Sequence, residues 1–170
     1  VVHTAAIVRE SGDRAVFDAV NVDGTLNAGQ AAADVGARHL VHLSSVMVYG
    51  FAFRDGVDES GPLEGHGNPY CETKIASEAA ASSFGDRMEV TVLRPGDVYG
   101  PGSVPWIVRP LELAEKNMLV VPDKRSFINP LFVENLVDAI LLAIDSGTTG
   151  TFNVTDDEPT TFFDFFAAAS

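Results

Sequence analysis

The chain has 170 residues, a hydrophobic fraction of 46%, a formal net charge of −13 and a single cysteine. Its size suits one globular domain with a real core, or part of one, and its acidity argues against nucleic acid and against anionic membrane surfaces, which would repel it. The lone Cys71 excludes an internal disulfide and fits a reducing compartment, where it reads as a small filler residue.

Val1 to Ala6 reads as a short buried strand ending on small residues, and Asp13 to about Val35 as a helix with Val16, Phe17, Val20 and Leu26 near one side. His39 to Leu43 is the second strand. Its histidines, His39 and His42, have no cysteine or carboxylate partners at metal spacing, so no metal site is read. Phe51 to Asn68 is rich in Gly, Asp, Glu and Pro and forms a long loop. Pro69 opens a helix that runs to about Phe84 and ends at Gly85-Asp86. Met88 to Leu93 is a third strand, leading into Arg94-Pro95-Gly96. Val104 to Lys116 reads as helix despite Pro105 and Pro110, and Met118 to Pro122 as an extended piece. Phe132 to Ile144 has apolar residues at helical spacing with its acids on the other side. Thr151 to Thr155 is a strand. Thr161-Phe162-Phe163-Asp164 then opens a helix with a capping-box-like start, whose Phe162, Phe163, Phe165 and Phe166 require a partner surface. No apolar run reaches the length of a membrane span and no signal-peptide series is visible, so the expectation is a cytoplasmic protein. The chain starts without methionine inside a strand-like run, which reads as entry in mid-fold.

Tyr70-Cys71-Glu72-Thr73-Lys74 carries the chemistry. On a helix Tyr70 and Lys74 share a face. Ionising a tyrosine near neutrality costs about 4 kcal/mol, and one cation about 4 Å away at an effective dielectric of about 20 supplies roughly that much. Taken alone, the pair reads first as a plain surface Tyr/Lys pair. Ser45 stands earlier, where an apolar run ends in hydroxyl residues at a strand C-terminus, the end of an open α/β sheet where ligands bind. Arg94-Pro95-Gly96-Asp97-Val98-Tyr99-Gly100 follows, again after a strand-like run.

These segments, in this order, resemble the extended branch of the short-chain dehydrogenase/reductase superfamily, the NAD(P)-dependent epimerases, dehydratases and hydroxysteroid-type dehydrogenases. The resemblance covers nearly the whole chain. It implies an α/β fold, a partial Rossmann-like doubly wound parallel sheet with a smaller C-terminal substrate-binding part, divided as residues 1–100 and 101–170. It implies catalysis by Ser45, Tyr70 and Lys74, with Asn21 ordering a water behind Lys74. Thr4, Ala5, Ala6, Ser44, Tyr70, Lys74, Pro95 and Val98 would hold NAD or NADP. Ser45, Asn68, Arg109 and Arg125 would meet the substrate, with Phe51 and Phe53 near it. Asn135 stands where the family has an acid.

The substrate is a small molecule, either a nucleotide sugar gripped by arginines or an apolar alcohol or ketone admitted by the Phe51-Ala52-Phe53 entrance, and a homodimer is an open expectation. Val46-Met47 after Ser45 offers no extra acid or base, which favours dehydrogenase, reductase or epimerase over dehydratase. The chain shows no glycine-rich turn for a cofactor pyrophosphate; Gly65-His66-Gly67-Asn68-Pro69-Tyr70 starts like one but lacks the last glycine and follows no strand. The match therefore begins at the family's fourth strand, and NAD cannot be told from NADP. The expectation is a fragment of a longer enzyme, and the competing reading is a non-catalytic relative acting as a binding or regulatory module.

Overall fold

The computed structural model describes residues 1–9, 11–51, 56–121 and 126–168. The chain divides into two compact units, Val1–Arg94 with Ile140–Asn153 and Pro95–Ala139 with Val154–Ser170.

The first unit is built on a parallel sheet in the order β1 (Val2–His3), β2 (His39–Leu43), β3 (Glu89–Pro95), β7 (Gly150–Val154). The register runs Val2↔Val41 and His3↔His42 on one side of β2, and His39↔Glu89 through Leu43↔Leu93 on the other. Covered on both faces, β2 buries His39, Leu40, Val41 and His42 in succession, as parallel strands do. Both histidines are tied by hydrogen bonds, His39 to the Thr91 hydroxyl of the neighbouring strand at 2.7 Å and His42 to the Ser77 hydroxyl of the covering helix at 3.0 Å. β1 is shorter than expected. Past His3 the backbone finds a side chain instead of a neighbouring strand: Asn21 Oδ1 accepts from the Ile7 N–H at 2.7 Å and Asn21 Nδ2 donates to the Ile7 carbonyl at 3.2 Å.

The first helical stretch comprises α1 (Arg14–Phe17), a π-helical segment (Asp18–Asp23) and α2 (Gly24–Asp34). Its inward face differs from the expected one. Of the four apolar residues expected on it only Phe17 is buried, together with Asn21, Thr25 and Gly29, while Val16, Val20 and Leu26 are exposed. A four-residue spacing drifts around a regular 3.6-residue helix, and the wider i→i+5 turn takes up that drift. Gly29 is required by contact, since a Cβ there would lie 2.3 Å from Phe84 Cε2. Around this point Ala32, Leu40, Ala81, Phe84 and Met88 form the core.

α3 (Pro69–Ser82) begins where its sequence signals place it. Asn68 is the N-cap, its Oδ1 accepting from the Tyr70 and Cys71 N–H groups at 2.9 and 3.1 Å, and Pro69 fills the first turn without wasting a donor. Ahead of it a 3₁₀ turn (Val46–Tyr49) packs Val46, Val48 and Tyr49 against Ile75.

In the second unit β4 (Asp97–Tyr99) pairs in parallel with β6 (Pro130–Phe132), and β5 (Phe127–Ile128) antiparallel with β8 (Thr160–Thr161). A π-helical turn (Val104–Val108) leads into α4 (Arg109–Glu115), so the helix expected over both prolines forms with a widened start. Met118–Val121 forms no strand among the described residues, and Pro122 lies outside them. α6 (Phe162–Ala168) is capped by Thr161, whose hydroxyl accepts from the Asp164 N–H at 3.0 Å and donates to Asp164 Oδ2 at 2.7 Å. Its aromatic face finds the required surface: Phe165 meets Tyr99 and Trp106 edge-on, and Phe162 packs on Trp106. Phe163 remains 41% exposed. α5 (Val133–Ser146) departs from a single apolar stripe. It buries Leu136 and Ala143, yet Val137, Leu141 and Leu142 are exposed, because the helix is apolar around most of its circumference.

Candidate active site

At the C-terminal rim of the parallel sheet three predicted side chains come together within the first unit. The strand ladder ends at Leu43↔Leu93 and is extended by the Ser44 N–H donating to the Leu93 carbonyl at 2.7 Å. Ser45 follows immediately. Extended in backbone, it caps the 3₁₀ turn by accepting from the Met47 N–H at 3.2 Å, which holds its side chain at the rim. From α3, one turn apart, come Tyr70 and Lys74.

The pairing is not the one the sequence suggested. Tyr70 pairs with the Ser45 hydroxyl, and Lys74 sends its ammonium to the Leu43 carbonyl at 2.5 Å. Burial pushes the Tyr70 phenol above its ordinary value, and the hydrogen bond with Ser45 pulls the other way without overcoming it. Lys74, only 3% exposed, is lowered to about 8 by burial, against the favourable charge of Glu78 one turn further along. At pH 7 it remains about nine-tenths protonated. The rim therefore presents a neutral phenol hydrogen-bonded to a serine, beside an ammonium anchored to the strand that carries that serine.

Asn21 sits behind this group. Besides holding Ile7, its Nδ2 donates to the Thr73 hydroxyl at 3.0 Å, so it ties the segment after β1 to the helix bearing Lys74. Below lie His3 and His42, stacked with ring centroids 5.5 Å apart. Both have lowered pKa values, His42 to about 3, from burial first and then the nearby Lys74 charge, so both are neutral at physiological pH.

The remaining predicted residues stand as follows. Thr4 and Ala5 are exposed and Ala6 half-buried in the stretch past β1. Ser44 is buried, its hydroxyl donating to Glu78. Asn68 caps α3 and Phe51 is 63% exposed. In the second unit Pro95 is buried and Val98 is half-buried in β4, opposite Leu131. Arg109 is exposed at the start of α4, and Asn135 donates to Asp156 at 2.8 Å. Phe53 and Arg125 lie outside the described residues.

Sequence reasoning passed over Glu78 and Arg94. Arg94 grips Glu78 with Nε to Oε1 at 2.9 Å and Nη2 to Oε2 at 2.7 Å, both side chains nearly sealed from solvent. The signal was present: Tyr70, Lys74 and Glu78 recur at four-residue steps, so a carboxylate shares the helix face of the ammonium.

The chain is similar to known proteins over most of its length. The model of the NAD dependent epimerase/dehydratase family matches residues 1–155. Short-chain dehydrogenase/reductase family 42E member 1 from Bos taurus is 32% identical over 93% of the chain, and 46% of that protein is covered. The human decarboxylating sterol-4-alpha-carboxylate 3-dehydrogenase is 28% identical over 98% of the chain and 48% of its own length. The solved structure of MoeE5 in complex with UDP-glucose and NAD superposes with a TM-score of 0.82 at 25% identity, covering 99% of the chain and 60% of that structure. The chain thus spans about half the length of the curated relatives it matches.

Proposed function

We propose, from the premise that this chain belongs to the NAD-dependent epimerase/dehydratase family, that it carries the catalytic part of an oxidoreductase or epimerase acting at a secondary alcohol or ketone. The observation that carries the reading is the hydrogen-bonded Ser45–Tyr70 pair at the sheet rim, with buried Lys74 fastened to the strand that presents Ser45. NAD, when bound, supplies the hydride acceptor or donor.

The donor set fits such a cofactor. An ammonium has three N–H donors. One of those on Lys74 is directed at Leu43, and the others can meet ribose hydroxyls. Thr4, Ala5, Ala6 and Ser44 offer backbone at the same edge of the first unit, and the family resemblance alone assigns Pro95 and Val98 to the nicotinamide.

Ser45 positions the reacting oxygen by hydrogen bonding, and Tyr70 moves the proton. With its pKa raised, Tyr70 is protonated at neutral pH, which suits carbonyl reduction as the ground state of the site. In the oxidative direction the phenolate needs the Ser45 hydrogen bond and the Lys74 charge to form. Asn21 acts by holding α3 through Thr73, so that Lys74 stays in register. The substrate is a nucleotide sugar, with Arg109 and Arg125 as its grips, or an apolar sterol-like alcohol. The MoeE5 complex with UDP-glucose supports the first and the sterol dehydrogenase relative the second.

The test titrates NADH and NADPH by nicotinamide fluorescence, into this chain and into a chimera joining it to the N-terminal half of a curated relative. Turnover of the chimera is assayed with UDP-glucose and with a 3β-hydroxysteroid. Tyr70→Phe is expected to lower turnover by about a hundredfold or more while leaving NADH affinity nearly intact. Wild-type turnover by that variant removes Tyr70 from its role, and a chimera that binds neither dinucleotide supports a non-catalytic relative instead.

A further inference from the structure

Beneath the rim lies a charged cluster that the reaction itself does not use. Glu78 is 7% exposed, Arg94 4% and Ser44 5%. Besides its two bonds to Glu78, Arg94 donates through Nη1 to the Tyr49 hydroxyl at 2.7 Å and to the Glu59 carbonyl at 3.1 Å. Tyr49 in turn donates to Asn153 Oδ1 at 2.8 Å. Glu78 Oε1 also accepts from the Ser44 hydroxyl. A buried ion pair is at best a weak source of stability, because desolvation offsets its attraction. This one joins three elements that meet at the rim: the end of β2 through Ser44, α3 through Glu78 and β3 through Arg94.

We propose that Glu78, clamped by Arg94, is a positioning residue for the rim. From one turn beyond Lys74 on α3 it sets a carboxylate on the helix face of the ammonium, and through Ser44 it fixes the strand end that presents Ser45. This rests on the functional reading above for its purpose, but its geometry is independent of turnover. Three features support it. Glu78 contributes the favourable charge felt by Lys74. Among the described residues, Tyr70 on its own helix stays protonated, and His3 and His42 from β1 and β2, which feel the Lys74 charge, are held neutral by burial, so none of these supplies a negative charge at neutral pH. Ser44 and Ser45 are adjacent, so a hydrogen bond that locks the first restricts the second.

The chain has only three lysines, Lys74, Lys116 and Lys124. In this chain grown with 13C-lysine, the Lys74 Cε resonance can therefore be followed through a pH titration without any substrate. Wild type is expected to titrate near 8. Glu78→Gln should move that midpoint down by about one pH unit through loss of the opposite charge, and Arg94→Gln should move it up by exposing Lys74 to an uncompensated carboxylate. A merely structural role predicts no such opposite displacements. If either single variant fails to fold by circular dichroism, Glu78→Gln/Arg94→Gln, which removes both halves of the ion pair, is read instead, and its Lys74 midpoint should fall below wild type because the carboxylate on its own helix is lost. A midpoint within about 0.2 pH units of wild type in the folded variants overturns the proposal. Failure of the redox reading shows elsewhere, as a chimera without turnover whose Lys74 still responds to Glu78→Gln.

Discussion

Lys74→Met should make this protein more stable at neutral pH. The lysine is 3% exposed and its pKa is lowered to about 8 by burial, against about 10.4 in an unfolded chain. Between those values the unfolded state binds more protons, so stability rises with pH. The contribution is present in full above about 10.4 and lost as pH falls through 8. At pH 7 the cost of keeping the ammonium buried is therefore about 3 kcal/mol. With so little exposure, solvent screening does not reduce it. Methionine removes that cost at similar length but gives up the hydrogen bond to the Leu43 carbonyl, worth about 1 kcal/mol. The net gain is about 2 kcal/mol at pH 7, read as a higher urea midpoint at unchanged slope. Because other groups titrate alike in both proteins, the difference between them isolates Lys74. It should shrink above pH 8 and reverse by about 1 kcal/mol once the wild-type lysine is neutral. A difference that stays flat with pH, or a variant less stable at pH 7, refutes the account of Lys74 as a strained charge held for function.

Two further changes test the scaffold around the site. Gly29→Ala places a Cβ 2.3 Å from Phe84 Cε2, so despite the better helix propensity of alanine the protein should lose about 1–2 kcal/mol; in urea denaturation, adding Phe84→Leu should recover part of that loss. Asn68→Ala removes the acceptor for the Tyr70 and Cys71 N–H groups and should cost about 1 kcal/mol, with faster amide exchange concentrated at those two positions.

Much of the candidate site's layout was legible in the sequence because its signals are local. Helical spacing places Tyr70 and Lys74 one turn apart, Asn68-Pro69 marks where that helix starts, and an apolar run ending in Ser44-Ser45 marks a strand end. The order of those segments was enough for the family, which the match over residues 1–155 bears out. Less legible were features that depend on turn width or on distant partners. The buried face Phe17-Asn21-Thr25-Gly29 follows a π-helical turn that no apolar periodicity announces, so of the expected stripe Val16, Phe17, Val20 and Leu26 only Phe17 fell on the buried side.

What the chain determined by itself, then, was which residue types stand at which local spacing: a phenol and an ammonium on one helix, a serine past a strand, a cap before a proline. Tertiary structure alone decided how those groups are paired and charged. It turned Lys74 toward the Leu43 carbonyl, gave Tyr70 to Ser45, and closed Glu78 and Arg94 upon each other across 16 positions of sequence. Spacing along a helix is a property of neighbouring residues, whereas desolvation and ion pairing depend on what the rest of the chain brings alongside.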